Sequence, residues 1–341
     1  MPNDLMEQYG EAFAVATRYI LDKTPEVFTT VNPILTKIME NKEYVDGGYA
    51  LSEAIQAIAT ESIETITGTA ADLLDISTQQ NLKNAQLDWK YIYSGFSITL
   101  DDITKTGSSK HAIASLMTKK AENALASTRE FLARQMYGSA ANNPKDLNGF
   151  GDMFAASGTA YAGLTDTDLP TDSAGDSIWL PQIDTTSTYV DYATISPMID
   201  KLKTKSAFDG RGTVLDYAVS DVSVLSKFKV DQQAQQRFTP AKDLMAGFQG
   251  VIIDGVTWYA DDHVQNASST AKTLYLIASN SIKLLYKYGF GGENSPLDVD
   301  KLRIPNQPLL SNQKMHAGNF FMVNRRVNGV FKALNPNATR S

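Results

Sequence analysis

Residues 86–137 read QLDWKYIYSGFSITLDDITKTGSSKHAIASLMTKKAENALASTREFLARQMY and carry the strongest structural signal in the chain. The first part, Gln86 to Leu100, is rich in aromatic and β-branched residues in partial alternation, which predicts a β-strand. From Ser108 to Tyr137 the apolar residues are spaced by threes and fours, without proline or glycine. This spacing predicts one amphipathic helix about 45 Å long. Gly138 follows as its C-terminal stop.

Net charge changes sign within this stretch. Residues 43–102 contain ten acidic and two basic residues, a net charge of −8, whereas residues 103–137 contain six basic and two acidic residues, a net charge of +4. A negative arm beside a positive helix indicates self-association through complementary faces, although an acidic arm taken alone is more often a solvated surface. The candidate contacts between subunits pair acidic residues of the arm with basic residues of the helix: Glu61, Glu64, Asp72 and Asp75 with Lys119, Lys120, Arg129 and Arg134.

Length and composition exclude several classes of protein. A chain of 341 residues can form one large domain or two ordinary ones, and a net charge of −7 argues against a dedicated nucleic-acid binder. With no cysteine, disulfides, thiol catalysis and thiolate metal sites are excluded. No apolar run approaches the roughly twenty residues of a membrane span, and no secretory signal pattern opens the sequence. We therefore expect a protein made in a cytosol.

The candidates for catalytic chemistry are few. Asp261-Asp262-His263 is the one acid–histidine cluster, and Asp254 could join it in a metal site or a hydrolase site. Neighbouring residues of a strand point to opposite faces, so a solvated loop is the favoured interpretation. We predict no catalytic residues, no metal site and no cofactor.

The C-terminal part is predicted to be mixed α/β. Asp254-Gly255 supplies the tight turn of a β-hairpin between Gly247 and Asp262. A last hairpin is predicted around Arg325-Arg326, within a segment from Lys301 to Ser341 that has seven basic residues and no acidic one. These two arginines could contact DNA phosphates or could simply form a charged hairpin tip.

The order of these parts resembles the tailed-phage major capsid proteins of the Hong Kong 97-type fold. Three local matches support the resemblance. They are the strand-to-helix entry Trp89 to Leu116; Asn148-Gly149-Phe150 with Tyr161-Ala162-Gly163-Leu164; and Gln236-Arg237-Phe238 followed by Ala246-Gly247-Phe248 and the hairpin to Asp261. The resemblance as a whole covers about Val45 to Leu334.

The resemblance implies an α+β fold with five parts: an N-terminal arm (1–42), an extended β loop (43–102), a spine helix with a peripheral domain (103–194), an axial domain (195–315), and return strands of the peripheral domain with the C-terminus (316–341). It also implies the acidic loop as a contact between subunits, and Arg325 and Arg326 as candidates for the inner, DNA-facing surface. The short arm implies a separate scaffold or none.

The function implied is that of a structural head protein rather than an enzyme. It would self-assemble into pentamers and hexamers of an icosahedral virion shell around double-stranded DNA, in the host cytoplasm. Portal, scaffolding and decoration proteins are the other implied partners. The alternatives are an encapsulin-like nanocompartment shell and, from another class, a hydrolase using Asp254, Asp261 and His263.

Overall fold

The computed structural model describes residues 33–45, 48, 50–56, 82–99, 101–102, 105, 110–169, 171, 175–208, 213–232, 250–287, 297–299 and 309–338, for some of them only the backbone. The helices are α1 (Pro33–Glu40), α2 (Lys110–Tyr137), α3 (Phe150–Met153), α4 (Tyr192–Phe208) and α5 (Val222–Asp231). The strands are β1 (Lys42–Val45), β2 (Ala50–Gln56), β3 (Leu82–Asp88), β4 (Lys90–Thr99), β5 (Gln182–Asp184), β6 (Tyr217–Ser220), β7 (Gly250–Ile253), β8 (Val256–Ala260), β9 (Lys272–Ile277), β10 (Ile282–Lys287), β11 (Leu297–Val299), β12 (Leu309–Met322) and β13 (Gly329–Leu334).

A five-stranded sheet is organised around the long strand β12. This strand pairs antiparallel with β10, β11 and β4, and the pairing with β4 runs from Leu309 opposite Thr99 to Gly318 opposite Lys90. Strand β1 lies parallel to β10. Segments more than 200 residues apart in sequence therefore meet in one sheet.

A six-stranded sheet has the order β5-β13-β9-β6-β8-β7. Its β7–β8 hairpin turns at Asp254 and Gly255, whose φ angles are 49° and 77°. Positive φ at both central positions is the geometry that aspartate followed by glycine favours, so the predicted hairpin is confirmed. Buried side chains of α4 and α5, such as Ile199 and Phe228, share a core with Trp258 and Leu276 of this sheet.

The spine helix is confirmed over its described part as α2, 28 residues from Lys110 to Tyr137. Its C-terminal turns bury Leu132, Met136 and Tyr137 in a core shared with the five-stranded sheet. Toward its N-terminus the helix lies against β4, where the Lys120 ammonium donates to the Ser97 carbonyl at 3.2 Å. Burial of the C-terminal turns thus fixes α2 on the five-stranded sheet, to which the preceding strand β4 belongs.

The observed strand pairing differs from the sequence predictions for one strand and one hairpin. The strand predicted over Gln86 to Leu100 is wrong in one detail, because it breaks at Trp89 into β3 and β4, which pair with different strands. The last hairpin is also wrong: β12 pairs with β10, β11 and β4, while β13 pairs with β5 and β9. The five domain boundaries stay a prediction. In the sheets, β10 pairs within the sheet of β1 and β4, and β13 pairs within the sheet of β6 and β9.

Candidate assembly surfaces

The base of the predicted extended loop is a two-stranded antiparallel ribbon of β2 and β3. Its register runs from Ala50 opposite Asp88 to Gln56 opposite Leu82. One face is buried through Leu51, Ile55, Ala85 and Leu87, and alternate residues between them are exposed. The candidate contact residues Glu61, Glu64, Asp72 and Asp75 lie outside the described residues. Their role as contacts between subunits stays a prediction.

This ribbon is fixed to its own chain at the base. The Lys283 ammonium, on β10, contacts Glu43 at 2.9 Å and Glu53 at 3.0 Å, which joins β1, β2 and β10. Burial lowers the pKa of Lys283, but hydrogen bonds to both carboxylates outweigh burial and raise it above its ordinary value. The Gln86 amide also donates to the Ala162 carbonyl at 2.8 Å. The base of the loop, formed by β2 and β3, is therefore fixed to its own chain by these contacts.

Part of the charge contrast between arm and helix is satisfied within the chain. Lys120 contacts Asp102 at 2.6 Å, and Lys105 contacts Asp101 at 2.5 Å. The hydrogen bond from Lys120, with further bonds from Thr99, lowers the pKa of Asp102 to about 2. Both pairs lie at the strand-to-helix junction, and the Lys105–Asp101 pair is largely exposed.

The other basic candidates on the helix differ in their surroundings. Lys119 is exposed. Arg134 is exposed and contacts Glu130 one turn away at 3.4 Å, a pair that stabilises a helix only weakly. The side chain of Arg129 lies outside the described part of the structure. Lys119 and Arg134 therefore remain accessible candidates for contact with a second copy.

The segment after the spine helix is held by contacts of the Asn148-Gly149-Phe150 motif. The sequence shows the motif but not its partners. Asn148 and Asn319 form a reciprocal pair, in which the Asn148 amide N–H donates to Asn319 at 2.9 Å and the Asn319 side chain donates back at 2.8 Å. Phe150 is fully buried and packs edge-on against Tyr137, with ring centroids 5.3 Å apart. Gly149 lies against the last turn of the helix. The motif is a structural clamp on the helix terminus.

The second motif, at residues 161–164, is a tight turn beside Arg325. Ala162 and Gly163 have φ angles of 52° and 75°, and Tyr161 and Leu164 exchange backbone hydrogen bonds across the turn. The buried Tyr161 hydroxyl accepts a bond from the Met322 amide at 2.9 Å. Burial raises the pKa of Tyr161. This turn also supplies the carbonyl that holds the loop base.

Arg325 does not face a DNA surface, which corrects the sequence prediction. The side chain is 2% exposed, with its guanidinium 4.9 Å from the Tyr161 ring and 5.6 Å from the Trp179 ring. It donates to the carbonyls of Met153 and Ala155 at 2.9 and 3.2 Å, and burial lowers its pKa to about 10. Arg326 is half-buried and stays a candidate.

The residues of the alternative hydrolase site do not converge. Asp254 accepts hydrogen bonds from Tyr192 and Ser196 at the turn before β8, whereas Asp261 and His263 follow the other end of that strand. A five-residue strand separates them by about 16 Å. Within the described residues, no group of three or more His, Cys, Asp or Glu side chains could hold a metal ion. The described helices also include none that could cross a membrane.

Among the described residues, large apolar side chains are exposed at three places, one of which is Phe131 on the spine helix, 41% exposed. On β4, Tyr91 and Tyr93 are 53% and 57% exposed. Beside the six-stranded sheet, Tyr192, Val214, Val222 and Val230 are 42–62% exposed. Scattered exposed apolar residues are ordinary, but adjacent aromatic residues on one strand favour a contact surface.

Comparison with known proteins bears on the whole chain. No protein-family model and no curated protein sequence matches it. Among solved structures, the capsid of cyanophage A-1(L) superposes with a TM-score of 0.61 at 14% identity, covering 87% of this chain and 92% of that one. The capsid of a native GTA particle superposes with a TM-score of 0.59 at 10% identity, covering 89% and 92%. This chain has the Hong Kong 97-type capsid fold.

A non-phage shell protein shares the same fold. The SrpI encapsulin of Synechococcus elongatus PCC 7942 superposes with a TM-score of 0.57 at 10% identity, covering 92% of this chain and 91% of that one. At such identities the likeness establishes the capsid fold and not the contents of a shell. The fold class predicted from the sequence is confirmed.

Proposed function

We propose that this chain is the major capsid protein of a tailed double-stranded DNA bacteriophage, which self-assembles into pentamers and hexamers of an icosahedral head. The observation that carries the proposal is the superposition of 87% and 89% of this chain on the capsid proteins of a cyanophage and of a GTA particle. The non-converging hydrolase residues agree with a structural rather than catalytic role.

The loop ribbon is the part best suited to join subunits. Its base is fixed on its own subunit by Lys283 and by the turn at Ala162. Lys119 and Arg134 are exposed on the helix, while Lys120 is held by Asp102. We therefore place the tip acids against Lys119, Arg134 and Arg129 of a neighbouring subunit.

Reversing the tip charges tests this contact. Replacing Glu61, Glu64, Asp72 and Asp75 with lysine should leave the subunit folded but prevent shell closure, because each attraction becomes a repulsion repeated in every subunit. Exposed pairs are worth about 0.2–1 kcal/mol each, so the effect arises from repetition. Circular dichroism measures folding, and sedimentation velocity measures assembly.

The matched control replaces the same four residues with glutamine or asparagine, which removes attraction without adding repulsion. We expect assembly that is weaker than wild type but stronger than in the lysine variant, and less sensitive to salt. Shells of normal size and stability in the lysine variant would mean that the tip acids are merely solvated.

An encapsulin-like nanocompartment shell is the second candidate, favoured by the equally complete superposition on the SrpI encapsulin. Sequencing the genes beside this one separates the two candidates. Terminase, portal and tail genes support the phage head, and a gene for an enzyme that could be enclosed supports the nanocompartment. Packaged DNA, with Arg326 as one inner-surface contact, and portal, scaffolding and decoration partners belong to the first candidate alone. So does assembly in a host cytoplasm.

A further inference from the structure

Four side chains form a continuous chain of hydrogen bonds between the spine helix and the loop after β8. Glu130 on α2 contacts His263 Nε2 at 3.0 Å. His263 Nδ1 contacts Asp261 Oδ1 at 2.8 Å, and the Tyr137 hydroxyl donates to Asp261 Oδ2 at 2.6 Å. Because the Asp261 amide donates to the Ser220 carbonyl of β6 at 2.9 Å, this chain connects the helix to the six-stranded sheet.

Both ring nitrogens of His263 face carboxylate oxygens. A neutral imidazole carries one N–H, so one of the two contacts would then set a nitrogen lone pair against a carboxylate oxygen. The doubly protonated ring donates to both oxygens. The geometry is therefore complete in one protonation state of His263.

The contact of His263 with Asp261 is more buried and better supported than its contact with Glu130. Asp261 is 8% exposed and also accepts bonds from the His263 amide, at 2.9 Å, and from the Tyr137 hydroxyl. The Glu130 side chain is 53% exposed and has Arg134 as a second partner at 3.4 Å. Glu130 and Asp261 are the charged groups that act on the pKa of the ring, and the exposed Asp262 adjoins His263 in sequence. Loss of the second proton should release Glu130 and leave Asp261 in place.

We propose that His263 is a pH-sensitive latch that holds the Glu130 turn of the spine helix to the loop after β8 when its ring is doubly protonated and releases Glu130 when it is neutral. Burial lowers the pKa of His263, but the hydrogen bonds that the ring donates to Glu130 and Asp261 outweigh burial and raise the pKa above its ordinary value of 6.5. The stabilisation is therefore fully present below the unfolded pKa and is lost as the pH rises through the higher folded value. The proposal concerns contacts within one folded chain, so it does not depend on whether the shell is a phage head or a nanocompartment.

The protonation state can be read directly by magic-angle-spinning NMR of protein labelled with ¹⁵N-histidine, whether or not it is assembled. The chain has three histidines, so His111→Gln with His316→Gln leaves His263 as the one signal. We expect a doubly protonated ring at pH 6 with a midpoint above 6.5. In Glu130→Gln the midpoint should fall, because one of the two carboxylates that favour the charged ring is removed. The control Glu122→Gln, an exposed residue of the same helix, should leave it unchanged. A singly protonated ring at pH 6, or equal midpoints in the two variants, overturns the proposal.

Hydrogen exchange separates a latch from a purely structural histidine. Wild type and His263→Gln are compared at pH 5.5 and 8.5, with intrinsic exchange rates corrected. We expect residues 126–137 and 259–266 to lose protection in the variant at pH 5.5 and to differ little at pH 8.5. An equal loss at both pH values would show that the ring only fills space, and no loss at either would show that it holds nothing.

Discussion

Gly149→Ala is expected to destabilise the subunit severely and to abolish shell formation. A Cβ at this position would lie 2.4 Å from the Gln135 carbonyl oxygen, 2.6 Å from that of Met136 and 2.7 Å from that of Gly138. These are backbone atoms at the end of the spine helix and cannot swing aside as a flexible side chain could. The segment from Leu147 onward must move, which takes Phe150 out of its aromatic cluster. We expect a loss of about 3 kcal/mol in the free energy of unfolding, the upper end for overpacking.

A second glycine gives the matched control. Gly158 has φ of 80°, and an added Cβ there meets nothing within 4 Å. Gly158→Ala therefore carries only the cost of a left-handed alanine, about 1–2 kcal/mol, without overpacking. Thermal unfolding of both variants, with soluble yield, measures the difference. A thermal midpoint for Gly149→Ala equal to that of Gly158→Ala would show that the backbone at the helix terminus can shift to accommodate the added Cβ at little cost.

Arg325→Met is the second change with a large expected effect. Methionine keeps an apolar chain beside Tyr161 and Trp179 but removes the donors to the Met153 and Ala155 carbonyls. Leaving two buried acceptors without their charged donor should cost about 3 kcal/mol. The expected result is a thermal midpoint lower by several degrees and loosening of residues 153–166, read by hydrogen exchange.

A surface charge controls for this substitution. Lys145 is exposed, so Lys145→Met removes one positive charge and should leave the thermal midpoint unchanged. If Arg325 instead contacted DNA, Arg325→Met would keep the wild-type midpoint and weaken DNA binding with a smaller salt dependence. That outcome would contradict its burial.

Local signals explain what could be predicted from the sequence. The spine helix has continuous apolar spacing and a glycine stop, and the β7–β8 turn has aspartate followed by glycine, so each is specified by neighbouring residues. The break at Trp89 depends on partners far along the chain, because β4 belongs to the sheet of β12 while β3 pairs with β2. Such pairings leave no local pattern in either strand.

The candidate site shows the same division. Charge patterning identified the arm and the helix as oppositely charged, but not that Asp102 and Lys120 would satisfy each other within one chain. The resemblance predicts Arg325 at the inner, DNA-facing surface, whereas the aromatic pocket that buries it comes from residues 161 and 179. The sequence offers His263 as a candidate for catalysis or metal binding, whereas its partner Glu130 lies 133 residues away. Three-dimensional proximity of this kind is not encoded in spacing.

Electron microscopy of the purified, expressed chain, with sedimentation velocity on the same sample, tests the central claim most directly. A shell subunit with this fold should form closed hollow particles or capsomers far larger than a dimer, and raised salt should slow their formation. A monodisperse monomer across salt and protein concentration would contradict the assignment of this chain as a shell protein.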